Sequence, residues 1–511
     1  MQHKTYQKKT KTMKGIITAK ELRMARPFDT VCATDTYYTQ FANRLNNKLL
    51  GFVDKNGANK TFIHRLALGL TLYLEDIVAD MGAWHSFSDL CMKLYGHPVP
   101  MYHSDEEYYP DEPSHDAVRY LIWHEASDMA PDQLFEADTF LTDLAEEAFA
   151  MVDDAFDEAP INDEGKKQID SIIEHAGEGF NELRESLNWI IFGCYITAGE
   201  RVNEMIRTEI SSLPEKGLLE SMTSSMKEYF VISSTKFFNN IGPLALKPYE
   251  WLGQLATTTG HDNIAAMINE IETINPDTYK YTPTDDNPLT LENLHGKVIK
   301  VSREELNMDD RIIMSHNGLV APFVFYKGEW RLNGVLMPLK LSDGQFEDLK
   351  KDQPDYLEPG QKIMTAEMIL EEIGGHRLVY FKDAEEMTDY LHEKLNYSKD
   401  EIKSSSIADM EMPCMFIDTE DNNDPQFFAQ NIEEYIKAPD NPYYNVDDAM
   451  ENGISLLWEP MSASTNMVNY LIDNELLPDI ENHFVFSQKC THKQRLADMN
   501  FFMRFSRMDR Y

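Results

Sequence analysis

From about Thr34 to Ala256 the apolar residues return every third or fourth position, the spacing that lines one face of an α-helix. Between Asn59 and Gly82 the series Phe62, Ile63, Leu66, Leu70, Tyr73, Leu74, Ile77 and Val78 predicts a buried helix. Shorter series predict helices over Asp116–Ser127 (Val118, Leu121, Ile122, Trp123) and Pro131–Ala155 (Leu134, Phe135, Phe140, Leu141, Leu144, Phe149, Val152). Two more are expected over Lys166–Ala198 and Ala198–Ser211. The stretch Tyr95–Pro113 carries Pro98, Pro100, Pro110 and Pro113, too many for a helix interior or a central strand, and is expected as an irregular crossing.

The period changes in the second half. The Asn, Pro, Thr and Asp run Ile274–Leu289 marks the best domain boundary, after which strands are expected at Lys297–Val301, Arg311–Ser315, Leu319–Tyr326, Glu329–Leu332 and Val335–Leu339. Asn317-Gly318, Lys327-Gly328 and Asn333-Gly334 lie between consecutive runs and supply the positive φ of tight turns, so a small antiparallel meander or barrel follows. Further on, a helix from Thr365 stops at Gly374-Gly375, Leu378–Phe381 reads as a strand, Asp383 with Glu386 caps a helix, and Pro413–Ile417 reads as a second strand. This strand, helix, strand unit is compatible with parallel pairing. Helices are expected around Gln426–Lys437, Asp447–Trp458, Ala463–Leu477 and Thr491–Arg507. The fold class is therefore α+β, predominantly α: a basic arm (1–33), an all-helical domain (34–273), a small antiparallel β domain (290–345) and a mixed α/β domain (360–511).

Charge narrows the class of partner. The 511 residues hold 47 Lys and Arg against 87 Asp and Glu, a net −40 that repels phosphate backbones and anionic bilayers and suits a basic protein partner or a divalent cation. The positive charge gathers at the two ends, from Lys4 to Arg26 and from Lys489 to Arg510, either as arms for an acidic partner or docked on the chain's own acidic body. Five scattered cysteines (Cys32, Cys91, Cys194, Cys414, Cys490) form no disulfide or zinc pattern and point to a reducing, cytoplasmic setting. Cys194, in an apolar helical stretch, reads as an inert buried thiol. The basic N-terminus is not followed by the apolar stretch of a signal peptide, and no run approaches a membrane span.

Four constellations carry candidate chemistry. Met415-Phe416-Ile417-Asp418-Thr419-Glu420-Asp421, an apolar strand ending in Asp-x-Glu, resembles the first motif of DEDD-type exonucleases, which implies Asp418 and Glu420 as ligands of catalytic divalent metals. The sequence departs from that family where its partner motif should lie, since His492 and Asp498 have the wrong spacing. The run Asp418–Asp424 also offers oxygen ligands for calcium but lacks the EF-hand glycine and spacing. On one predicted helix His124 and Asp128, four apart and flanking Glu125, share a face as metal ligands would; Glu75, Asp76 and Asp80 lie on another. Without a His-Glu-x-x-His pattern, Trp123 and His124 are more simply residues flanking a packed face. His85, His97, His103 and His115 crowd the proline-rich crossing beside Asp105, Glu106, Glu107 and Asp111, as a metal or pH-responsive site would; with Tyr102, Tyr108 and Tyr109 the same loop reads as a protein-binding surface.

No nucleophile elbow, phosphate-binding loop or dinucleotide fingerprint occurs; Gly374-Gly375-His376 follows a helix and reads as its stop. At Asp35-Thr36-Tyr37-Tyr38, Leu121-Ile122-Trp123-His124 and Leu496–Phe505 the chain resembles an uncharacterised bacterial family of unknown function, which implies an intracellular bacterial setting and transfers no catalytic residue. The reading is a non-catalytic protein-interaction or regulatory protein with a protein partner, without nucleic acid, membrane or cofactor. The alternative is a divalent-metal-dependent hydrolase, phosphodiesterase- or nuclease-like, using Asp418, Glu420, His124 and Asp128.

Overall fold

The helix Gly57–Ala79 (α3) is apolar on nearly every face, with Phe62, Ile63, Leu66, Leu70, Leu72, Tyr73, Leu74 and Ile77 all buried. A helix of that kind has to be surrounded. In the computed structural model it packs against Ala19–Met24 (α1), Asp35–Leu49 (α2), Ala83–Tyr95 (α4), His115–Met129 (α5), Thr142–Phe156 (α6) and Asp163–Ala176 (α7). The structure describes residues 16–54, 57–103, 107–130, 133, 135, 142–213, 222–353, 364–420, 425–449, 457, 462–478 and 490–507. The predicted positions Leu134, Phe140, Leu141, Asp105 and Glu106, most of the helix expected at Asp447–Trp458, and the arm before residue 16 lie outside these.

The chain divides into two units, one of residues 1–213, 241–269 and 484–489, the other of 214–240, 270–483 and 490–511. The first is all-helical and continues through Phe180–Phe192 (α8), Glu200–Ser212 (α9), Pro248–Thr258 and Asp262–Asn269. The long helix expected over Lys166–Ala198 is broken at Gly177–Gly179, and Cys194 lies buried in the turn after α8, not inside a helix.

The second unit holds both sheets. Glu272–Lys280 (β1), Leu289–Asn293 (β2), Val298–Val301 (β3), Gly318–Tyr326 (β4) and Glu329–Leu332 (β5) run in the order β3-β2-β1-β4-β5, and Met337–Leu339 (β6) pairs with β4. All pairings are antiparallel, and no closed barrel forms among the described residues. Tyr279, Leu289, Leu291, Ile299, Val301, Leu319 and Phe323 make the core. The β4–β5 hairpin turns at Lys327-Gly328 with φ of 52° and 82°, as a tight turn requires. Asn333-Gly334 instead carries the chain across to the other end of β4, with Asn333 donating to the Ser233 carbonyl at 2.8 Å.

Three expectations are corrected here. The boundary run begins inside β1, where Pro276 sits exposed at a register shift between Ile274 and Asp277, a bulge that spares a ladder donor. Arg311–Ser315 is helical (Asp310–Ser315) because the Asp309 carboxylate accepts the Arg311 amide at 2.8 Å and caps a helix start. Gln426–Gln430 (β9) is a strand and not a helix, because pairing with the wholly buried Pro413–Ile417 (β8) overrides local preference.

Leu378–Tyr380 (β7) and β8 pair antiparallel. The intervening chain forms the α-helices Ala384–Leu395 and Lys399–Ser404 and re-enters the sheet at the end where β7 left it, the Phe381 amide donating to the Pro413 carbonyl at 3.0 Å. Met415 and Ile417 pack under the first of these with Met387 and Leu391. Phe416 instead meets Tyr470 of the helix Thr465–Asp473. Among the described residues no helix is long and apolar enough to cross a membrane.

Candidate functional site

Charged residues carried inward by an apolar helix have to find partners, and beyond the exposed Lys60 α3 carries Arg65, Glu75 and Asp76. Arg65 reaches α5, where its guanidinium lies 2.5 Å from both Glu125 and Asp128. Asp128 also accepts the amides of Glu200 at 2.7 Å and Arg201 at 3.0 Å, so a side chain of α5 caps the start of α9. Burial alone would raise the Asp128 carboxyl, but Arg65, His124 and these amides outweigh it and hold it below its ordinary value. For Glu125 burial wins over Arg65 and pushes the carboxyl up to about 8. His124 stacks on Tyr120 with centroids 5.8 Å apart, and burial, aided by Arg201 and Arg65, drives its ring down to about 4. His124 and Asp128, four apart on α5, lie on one helix face, with Glu125 beside them. A guanidinium fills the place beside the carboxylates where a cation would sit.

Ten residues further along α3, about 15 Å by helical rise, Glu75 and Asp76 serve two other networks. Arg26 donates to Asp35 and to Glu75, each at 2.5 Å, and Asn162 donates to Glu75 at 2.8 Å. Burial raises Glu75, and Arg26 and Asn162 partly offset it. Asp76 accepts the amides of Trp84 at 2.6 Å and Ala83 at 3.2 Å and the Tyr195 hydroxyl at 2.8 Å, capping α4. Arg26, together with Arg23 bound to Asp29 at 2.9 Å, docks the described part of the basic N-terminal segment on acidic residues of its own unit.

The four histidines separate into three environments. His97 and His103 meet, with ring centroids 4.4 Å apart. His85 lies 3.5 Å from Asp89, and His115 stacks on Phe149. Of the tyrosines, Tyr102 is buried, Tyr108 accepts the Trp84 indole N–H at 2.9 Å, and Tyr109 is exposed. In the second unit Asp418 is buried at the end of β8, accepting the Glu420 amide at 2.9 Å and the Asn466 side chain at 2.7 Å, while Glu420 is exposed. His492 and Asp498 lie on the helix His492–Arg507.

A cleft of about 640 Å³ opens beside the far end of α3. Ile77, Val78, Pro110, Phe156, Ala159 and Ile161 give it an apolar floor, and Asp80, His85 and Asp111 stand at its edge. The Phe156–Ile161 wall is flanked by the exposed carboxylates Asp153, Asp154, Asp157, Glu158, Asp163 and Glu164. Lys166 binds the Asp80 carboxylate at 3.3 Å.

Residues 17–295 and 349–506 match the family described as Protein of unknown function (DUF3843). The chain belongs to this family. No curated protein and no solved structure matches the chain. The motif residues Asp35, Tyr38, Trp123 and His124 sit in the buried networks of the first unit: Tyr38 donates to the Pro160 carbonyl at 2.8 Å and Trp123 to that of Phe135 at 3.1 Å. The sequence reading missed Arg65, Asn162 and Gly199, where an added Cβ would meet the Asp128 carboxylate. The signal for Arg65 was present, a single cation in the run His64-Arg65-Leu66-Ala67-Leu68.

Proposed function

We propose that this DUF3843 chain is a non-catalytic interaction protein whose helical unit takes a basic, apolar-bearing segment of a partner protein in the cleft beside α3. The observation that carries this reading is the pairing of an apolar floor, including an Ile161 that leaves 63% of its surface exposed, with a surround of carboxylates on a chain of net charge −40. An exposed apolar patch rimmed by one sign of charge favours a partner of the opposite sign. The fate of Asp128 agrees with a binding role, because Arg65 and the amides at the start of α9 already occupy this carboxylate of the hydrolase alternative.

The test is titration of the full chain with a short amphipathic peptide of lysine and leucine, beside its glutamate and leucine counterpart. The lysine peptide is expected to bind, and more weakly as salt screens the exposed charges. Ile161→Asp should weaken it about tenfold or more, the loss of one buried aliphatic contact of ~1.5–3 kcal/mol. Equal binding of both peptides, or an unchanged Ile161→Asp variant, would overturn the reading.

A further inference from the structure

The crossing loop between α4 and α5 holds two imidazoles side by side. His97 and His103 are half-buried, their rings inclined at 62°, and a ring nitrogen of each lies within 4.8 Å of one on the other. The backbone sets this placement. Gly96 at φ 78° turns the chain out of α4, and Met101 at φ 69° occupies a left-handed conformation that a non-glycine side chain adopts only where its surroundings impose it. Those surroundings are visible: Val99, Pro100, Met101 and Tyr102 are buried beneath the two rings' segment.

Tautomer follows from one hydrogen bond. His97 Nδ1 lies 2.8 Å from the Val99 carbonyl oxygen. A carbonyl only accepts, so Nδ1 donates and the neutral ring carries its lone pair on Nε2. An N–H given to a backbone carbonyl, with the opposite nitrogen presented as a base, is the arrangement that orients imidazole ligands of metal ions.

We infer that His97 and His103 form a binding site for a borderline divalent cation, with zinc the best match. Imidazole nitrogen favours zinc, copper and nickel, whereas the carboxylates that dominate this chain favour magnesium and calcium. Two nitrogens at zinc bond lengths on a tetrahedral ion stand about 3.3 Å apart, and the two ring nitrogens here lie within 4.8 Å of each other. The site is separate from the cleft, and its failure would leave the cleft reading untouched.

The experiment uses the full chain, dialysed against a chelator and titrated with zinc at neutral pH in competition with a chromophoric zinc indicator. One site is expected above the weak carboxylate background. His97→Ala and His103→Ala should each weaken it by at least about tenfold, since second-sphere changes alone reach 10- to 100-fold. His85→Ala and His115→Ala should leave it unchanged, and excess magnesium should not compete. Where an alanine variant fails to fold by circular dichroism, copper(II) bound to the unaltered chain is read by electron paramagnetic resonance. Two imidazole nitrogens support the site, and an all-oxygen signature overturns it. Zinc binding by the double variant as tight as by the parent chain, or ready displacement by magnesium, also overturns it.

Discussion

Glu433 opens a short 3₁₀ turn at Glu433–Tyr435 with its side chain wholly buried. No side chain among the described residues donates to its carboxylate; Asn441 donates instead to the main-chain carbonyls of Glu433 and Ile436, at 2.6 and 2.7 Å. Burial, only partly offset by the amides of Glu433 and Ile432, pushes the carboxyl up to about 7 from 4.5, and its charge helps burial to raise the nearby Cys414 thiol. A folded value above the unfolded one means the contribution to stability is complete below about pH 4.5 and is lost as the pH rises through 7. About 2.5 units at 1.36 kcal/mol each gives roughly 3 kcal/mol across that window.

Glu433→Gln keeps the shape and cannot ionise, at a cost of ~1–3 kcal/mol for an unpaired buried amide that does not vary with pH. The discriminating quantity is therefore the change in the difference between the two proteins. Urea unfolding followed by circular dichroism, with hydrogen exchange of the β8 amides as the local probe, should show the variant gaining about 3 kcal/mol on the parent between pH 4.5 and 8. A difference that stays flat with pH would refute the assignment of a buried carboxyl that ionises in this range.

Three further outcomes are expected. Arg65→Met strands Glu125 and Asp128 and should cost ~3–5 kcal/mol in equilibrium unfolding; adding Asp128→Asn should cost less than the sum of the single changes, as a double-mutant cycle would show. Gly199→Ala sets a Cβ against the Asp128 carboxylate at the start of α9 and should lower stability by ~1–3 kcal/mol, read as a fall in melting temperature. His124, held down at about 4 against an ordinary 6.5, contributes stability that is present above pH 6.5 and lost as the pH falls towards 4. Comparison with His124→Gln over that window should isolate a contribution of ~1–2 kcal/mol, discounted for the ring's partial exposure, since Glu125 acts in the opposite direction as its carboxyl ionises between pH 4.5 and 8.

Periodicity alone located α3, α5 and the β4–β5 hairpin, because a helix face and a tight turn are written in residues a few positions apart. The same locality placed His124 and Asp128 on one face and crowded four histidines into one loop. It could not say that Arg65 would fill the space beside Asp128, or that only His97 and His103 of the four would meet, because these partners come from distant segments or from a backbone path with no regular period. Strand identity at β9 and the antiparallel return of β8 were likewise decided by the neighbours that pair with them. Sequence determined the long amphipathic and apolar helices of the first unit and the chain's excess of acidic charge. Tertiary structure decided which charges are buried together, because the cost of burying a charge is met only by the group that folding places against it.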